Sequence, residues 1–293
     1  MADSNGKRFS DRKEGRLLRG LPAAANIDPY IRRTRSGAAI TFADPLEVTE
    51  IEQWLVAKRQ EGARGLSLIH LLAAAYVRTV ALRPGINRFV SARHIFARDD
   101  IRIVLHIRRS ADSDAPSTTV KVFCSPTDTV YDVYRRINDA IDDVHSGSGD
   151  TQFDRFAAKI ARLPRFFLRQ ALALVRCADY FDKLPNSVLE SSPYHGSLAL
   201  YDLGALGIGP AEETLPDFGN LPLALSFGAK RRVKELDKDG NAVERRYVDL
   251  RFTCDGRICD SAYLVSALKG FRYLLKNPSI LELPPERTED DVN

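Results

Sequence analysis

Most of the residues in this chain whose types and spacing could do chemistry fall between positions 254 and 260. Cys254, Asp255, Arg257, Cys259 and Asp260 place two thiols, two carboxylates and a guanidinium in one short stretch. Either thiol could carry an acyl group as a covalent intermediate if a base stood beside it. No base is adjacent in the sequence, and carboxylates with an ordinary pKa of about 3.9 are weak partners for a thiol near 8.5. Cys254 and Cys259 therefore read as buried apolar thiols. The five histidines are scattered. His195, in Ser192-Pro193-Tyr194-His195-Gly196, reads as a surface or turn residue ahead of a strand, from which it could reach a site as a substitute base. His70 and His106 lie in apolar segments and read as satisfied core or edge residues. His94 and His145 carry no signal, and no metal-ligand spacing is present.

Two elements must position that stretch. Upstream, Tyr247 to Phe252 alternates apolar and polar residues with the period of a half-buried strand. Downstream, Asp260 and Ser261 are good N-caps. Leu264, Val265, Leu268, Phe271, Leu274 and Leu275 then mark one face of a helix, stopped by Asn277-Pro278. A hairpin turn at Asp237 to Asn241 feeds the strand.

Earlier in the chain, Ala38 to Phe42 reads as a strand ended by Asp44-Pro45. Thr49 and Glu52 have the spacing of a capping box. Ser67 to Leu82 is apolar nearly all round, so it is expected to be a buried helix. Strands are expected at 101–107 and 118–123, a helix from Asp128-Thr129 to the Ser146–Gly149 break, and further strands at 223–228 and 231–236. Residues 151–185 are a helical segment that Leu163-Pro164 kinks or restarts, apolar from Phe166 to Phe181 but punctuated by Arg165, Arg169 and Arg176. Either it docks on its own domain or a neighbouring subunit, or it lies as a basic amphipathic helix on a membrane surface.

At 293 residues the chain can bury a substantial core. Its net charge of +4 does not call for nucleic acid as a partner. No apolar run approaches the roughly 20 residues needed to span a bilayer. Four scattered cysteines and a polar N-terminus without a secretory pattern lead to an expectation of reduced thiols in a cytoplasm. Residues 1–35 read as a basic arm, residues 36–283 as the core domain with the insertion at 151–185, and residues 284–293 as an acidic, disordered tail.

The stretch Thr253-Cys254-Asp255-Gly256-Arg257-Ile258-Cys259-Asp260-Ser261-Ala262 resembles the active-site signature S-x-D-H-R-x-x-D-G-A of the chloramphenicol acetyltransferase superfamily. It is most similar to the form found in dihydrolipoyl acyltransferase cores of 2-oxoacid dehydrogenase complexes. Asp255, Arg257, Asp260 and Ala262 match. Gly256 stands where the family has its catalytic histidine. Arg83-Pro84-Gly85-Ile86-Asn87 resembles the P-x-x-N that follows a buried helix there. Ser197 to Gly204 resembles the strand T-F-T-x-S-N-L-G, with Tyr201 at the serine and Asp202 at the asparagine. The likeness runs over about residues 38–280, without the family's lipoyl and subunit-binding segments, and the insertion has no counterpart in it.

The resemblance implies an α/β fold, a two-layer sandwich of a mixed sheet flanked by helices, assembled as a homotrimer or a multiple of it. Active-site channels between subunits would take coenzyme A or a small acyl thioester. In the family the histidine deprotonates the thiol and the serine of a neighbouring subunit supports the oxyanion. Loss of a general base costs about 10²–10⁴ in rate and loss of one oxyanion donor about 10²–10³. With Gly256 and Tyr201 at those positions, the expected function is a pseudoenzyme that binds a thioester or serves as a scaffold. An active coenzyme A-dependent acyltransferase with a rearranged site, using His195, an aspartate or a cysteine, is the alternative, and a membrane-associated assembly through residues 153–181 is a third. Asp260 and Arg257 are expected to be structural ion-pair residues, Asp260 with an arginine as in the family.

Overall fold

The structure, a computed structural model, describes residues 11–108, 117–146 and 152–292. A short strand β1 (Gly15–Leu17) and a helix α1 (Ala23–Ile31) come from the segment read as an arm. Residues 11–35 of that segment therefore pack on the body, with Leu18 buried as an apolar anchor. β2 (Ala39–Glu47) runs on through Asp44-Pro45, where a break was expected. It does so because it is an edge strand, where a residue without an N–H is tolerated. α2 (Thr49–Gln60) follows without the expected capping box. The Thr49 hydroxyl instead accepts the backbone N–H of Arg246 at 3.0 Å, and Glu52 pairs with Arg246 and Lys230.

α3 (Leu68–Leu82) is buried along almost its whole length. Ser67 caps it, and His70 completes the box by accepting the Ser67 N–H at 3.1 Å on Nδ1. Next come β3 (Arg88–Ser91), β4 (His94–Arg98), β5 (Ile101–Arg108), β6 (Ser117–Cys124) and α4 (Val130–Ser146). β1, β4 and β3 make a small antiparallel sheet. The insertion holds α5 (Gln152–Ala161) and α6 (Arg165–Tyr180), with Pro164 restarting the helix at α6, and runs on into α7 (Asn186–Ser191). It lies against β6, where Thr118 donates to Asp154 at 3.3 Å and the Lys121 ammonium to the Leu189 carbonyl at 2.6 Å.

β7 (Leu198–Asp202), β8 (Leu223–Phe227), β9 (Arg231–Leu236), β10 (Ala242–Asp255) and α8 (Ser261–Lys276) complete the chain. The main sheet has the order β2-β10-β8-β7-β5-β6, with β9 on the first half of β10. β7 pairs in parallel with both β5 and β8, and the remaining pairs are antiparallel, so the sheet is mixed. Residues from α2, α3, α4 and α8 pack on one face with Leu198, Leu200, Leu250, Phe252 and Cys254 as the core. The other face carries a smaller cluster of Val104, Ala199, Leu215, Leu221 and Ala224. The acidic tail, expected to be disordered, is docked through position 292. Asp291 accepts from Arg88 Nε at 2.8 Å, and the Glu289 N–H donates to the Ala81 carbonyl at 2.8 Å. Its carboxylate finds a half-buried guanidinium, which composition alone does not reveal.

Candidate functional site

The period-two pattern of β10 puts Arg251, Thr253 and Asp255 on the face away from the main helices, and Asp255 is fully buried there. A buried carboxylate needs a partner. Arg257 supplies it with a two-pronged grip, Nε to Oδ1 at 2.8 Å and Nη2 to Oδ2 at 2.7 Å. The buried Arg35 adds its Nε at 3.6 Å from Oδ2. The third nitrogen of Arg257 donates to the carbonyls of Arg32 (3.0 Å) and Arg33 (3.3 Å), tying the loop to the chain after α1. Arg257 is thus an ion-pair residue, with Asp255 as its partner. Asp260 is not part of this pair. Its carboxylate caps α8 by accepting the Tyr263 N–H at 2.8 Å, in place of the arginine expected from the resemblance. An exposed helix start satisfies it locally.

Gly256 is held between them. Its N–H donates to the Ala38 carbonyl at 2.9 Å, and its own carbonyl accepts from Arg32 Nη2 at 2.8 Å. A Cβ at this position would meet Ile40 Cδ1 at 2.6 Å, the Ala38 oxygen at 2.9 Å and Arg32 Nη1 at 2.9 Å. Arg32 is itself fixed by Asp28 of α1, its Nε donating at 2.8 Å. The space a side chain would need is therefore occupied by β2 and by the residue that follows α1.

Tyr201 lies on the same sheet face, paired across β8 at Ser226 with Arg251 of β10. From Arg251 to Gly256 is five residues of strand, and from β7 to β10 two strand spacings. Tyr201 and Gly256 are therefore roughly 20 Å apart within one chain. The Tyr201 ring stacks on His106, centroids 4.2 Å apart and planes 13° from parallel. Burial pushes the Tyr201 hydroxyl up to about 12 and holds the His106 imidazole down to about 4. Asp202 turns to the other face, where its carboxylate accepts the Ala205 N–H at 3.0 Å, and burial raises its pKa.

His195 is neither at the surface nor free. It is fully buried, with Nδ1 2.9 Å from the Ser192 hydroxyl, Nε2 3.3 Å from Asp179 and Phe218 edge-on at 5.5 Å. It fastens the end of α6, whose last carbonyls also accept from Arg12: Asp179 at 2.6 Å and Tyr180 at 3.1 Å. A cation at a helix C-terminus is favourably placed. Neither thiol is poised as a nucleophile: burial raises Cys254 well above its usual range and Cys259 to about 12. Among the described residues no cluster of His, Cys, Asp or Glu could hold a metal ion.

Beside Arg257 opens a cavity of about 390 Å³, lined by Arg33, Arg35, Arg93, Arg176 and Arg257 together with Asp179 and Asp217. Sequence reasoning passed over Arg32, Arg33, Arg35 and Arg93. The run Arg32-Arg33-Thr34-Arg35, four positions with three cations and no acid, was the available signal.

No protein-family model and no curated protein matches the sequence. Solved structures do match the fold. A probable dihydrolipoamide acetyltransferase from Listeria monocytogenes superposes with a TM-score of 0.57 at 11% identity, over 88% of this chain and 94% of that one. Azotobacter vinelandii dihydrolipoamide acetyltransferase, studied for the roles of a serine, a histidine and an asparagine in its catalytic mechanism, gives 0.56 at 12% identity, over 92% and 95%. A chloramphenicol acetyltransferase gives 0.52 at 12% identity, over 89% and 99%. The chain has the chloramphenicol acetyltransferase-like fold. At these identities the likeness concerns architecture alone. Within the chloramphenicol acetyltransferase-like fold, this chain closes the motif loop with β2 and Arg32, and opens an arginine-lined cavity next to it that α6 of the insertion helps to wall.

Proposed function

We propose that this chain is a non-catalytic relative of the acyltransferases, a cytoplasmic trimer that holds coenzyme A or an acyl thioester in its inter-subunit channel, or serves as a scaffold, without exchanging the acyl group. The observation that carries this reading is the filled space at Gly256, where Ile40 and Arg32 occupy the volume a catalytic side chain would take. The candidate substitutes are each accounted for elsewhere. His195 is buried against Asp179 and Ser192, His106 is stacked on Tyr201, and burial keeps Cys254 and Cys259 protonated. The separation of Tyr201 from Gly256 within one chain supports a ring, since only a neighbouring subunit could bring the two positions together. The test is acetyl transfer from acetyl-coenzyme A to dihydrolipoamide with the sample's mass measured by light scattering. Expected are a trimer, or a multiple of it, and a rate equal to that of buffer. Turnover abolished by His195→Ala or His106→Ala, or a monomer, would overturn it.

A second reading rests on α6. None of its residues is buried, and Phe166, Phe167, Leu174 and Phe181 stand 58–71% exposed. Residues 155–178 contain six cations and no carboxylate. A basic amphipathic helix with an outward apolar strip suits the surface of an anionic membrane. No helix of the described residues is long and apolar enough to cross one. Flotation with phosphatidylserine vesicles, lost on Arg165→Glu with Arg169→Glu, would support this reading, and protein left at the bottom of the gradient would remove it.

A further inference from the structure

The cavity beside Arg257 holds more positive charge than its own walls use. Of its five arginines, Arg35 and Arg257 are committed to Asp255. Arg33, Arg93 and Arg176 make no ion pair among the described residues. The two aspartates on the wall are engaged elsewhere. Asp179 faces Arg12 and His195, and Asp217 accepts the Ser36 N–H at 2.9 Å and its hydroxyl at 3.1 Å. Arg35 is 4% exposed, and its Nε has no hydrogen-bond partner, only the 3.6 Å approach to Asp255. Its terminal nitrogens donate to the carbonyls of Val90, Pro216, Phe218 and Gly219, so a fixed, buried guanidinium sits in the lining of a cavity rimmed by cations.

These cations come from unconnected parts of the chain: Arg33 after α1, Arg93 from the turn between β3 and β4, and Arg176 from the insertion. Packing alone gives no reason to gather like charges round an open space. The turn at Ala92 and Arg93 takes left-handed φ angles of 47° and 63°, where glycine or asparagine is the usual choice. Arg93 occupies its position despite that cost, its guanidinium 5.5 Å over the Tyr30 ring.

We infer that this cavity binds the phosphate groups of a small phosphorylated molecule. Three unpaired guanidiniums balance a ligand of about two to three negative charges, such as a phosphate monoester or a diphosphate, whereas a single carboxylate would neutralise only one. Arginine forks match phosphate oxygens with paired donors. A volume of about 390 Å³ is in the range of small-molecule sites. The site stands independently of thioester binding, because its phosphate could be carried by any nucleotide or by a non-nucleotide metabolite.

The test is calorimetric titration of the full chain at low salt with inorganic pyrophosphate, adenosine 3′,5′-bisphosphate and, as a comparison anion, citrate. Expected is binding of at least one phosphate probe, tighter than citrate and weakened at least tenfold by Arg33→Ser with Arg176→Ser. Both side chains are exposed, so the fold should be retained, which the unfolding midpoint checks. Arg232→Ser, on β9, should leave the affinity unchanged. Tighter binding of the adenosine probe would identify a nucleotide as the carrier, and preference for pyrophosphate a non-nucleotide. No binding of either phosphate, equal binding of citrate, or an affinity indifferent to the double variant would overturn the inference.

Discussion

The motif loop and the cavity beside it are built from the same residue type and behave as opposites. In the loop, every arginine has its carboxylate: Arg257 and Arg35 share Asp255, and Arg32 holds Asp28. In the cavity wall, Arg33, Arg93 and Arg176 have none among the described residues. Burial explains the difference. Arg35 and Arg257 are 4% and 6% exposed and could not remain charged there without Asp255, whereas the wall arginines keep their water. The region that resembles the acyltransferase motif is thus a structural joint. The cations free to meet a ligand lie on residues outside the motif.

The largest effect should come from breaking the joint. Asp255→Ala strands two buried guanidiniums, and is expected to cost on the order of 3–5 kcal/mol in urea unfolding. A loss under about 1 kcal/mol would mean that the pair is not what holds the loop. Gly256→Ala comes next, at about 1–3 kcal/mol, because the new carbon must displace Ile40 and Arg32. Gly256→His should cost no less and restore no acetyl transfer. An active histidine variant would show that the space is not closed.

Much of this architecture was legible. β10 and α8 follow from a strict alternation and from a cap residue that caps, and α3 from an apolar surface with nowhere to go but inside. β1 and α1 were not, since a three-residue strand and a helix with no side-chain cap and an internal Pro29 carry almost no local pattern. The Thr49 cap misled because a cross-strand N–H from Arg246 took the hydroxyl. The absence of a side chain at position 256 could be read, but the closure of the space around it could not. Arg32 and Ile40 lie more than 200 positions upstream, and only the pairing of β2 with β10 brings them there.

Acid should act on the buried regions before the wall. Burial holds the imidazoles of His70 and His106 down to about 4 from 6.5. The unfolded chain takes up these protons as pH falls through 6.5 and the folded chain only near 4. This stability is full above 6.5 and is lost as pH falls towards 4. Burial would raise the Glu14 carboxyl, but Arg98, with His195, Arg102 and Lys121 adding to it, lowers it from 4.5 to about 2. Its contribution is therefore present above 4.5 and lost between 4.5 and 2. Urea midpoints measured from pH 7 to 3 should fall in two stages, and His106→Gln should flatten the first. A midpoint constant from pH 7 to 5 would contradict the assignment. The smallest effect belongs to the wall: Arg33→Ser should change stability by no more than about 0.5 kcal/mol while weakening pyrophosphate binding. A large loss of stability would make that arginine part of the joint.

The claim that the motif loop has no room for a base is tested most directly by the pH dependence of acetyl transfer from acetyl-coenzyme A to dihydrolipoamide, with and without the protein. Expected is a rate that rises only with the thiolate fraction of the acceptor, centred near its own pKa, and is the same in both samples. A saturable rate with an inflection in the imidazole range, about 6 to 7, would place a working base in the site and contradict it.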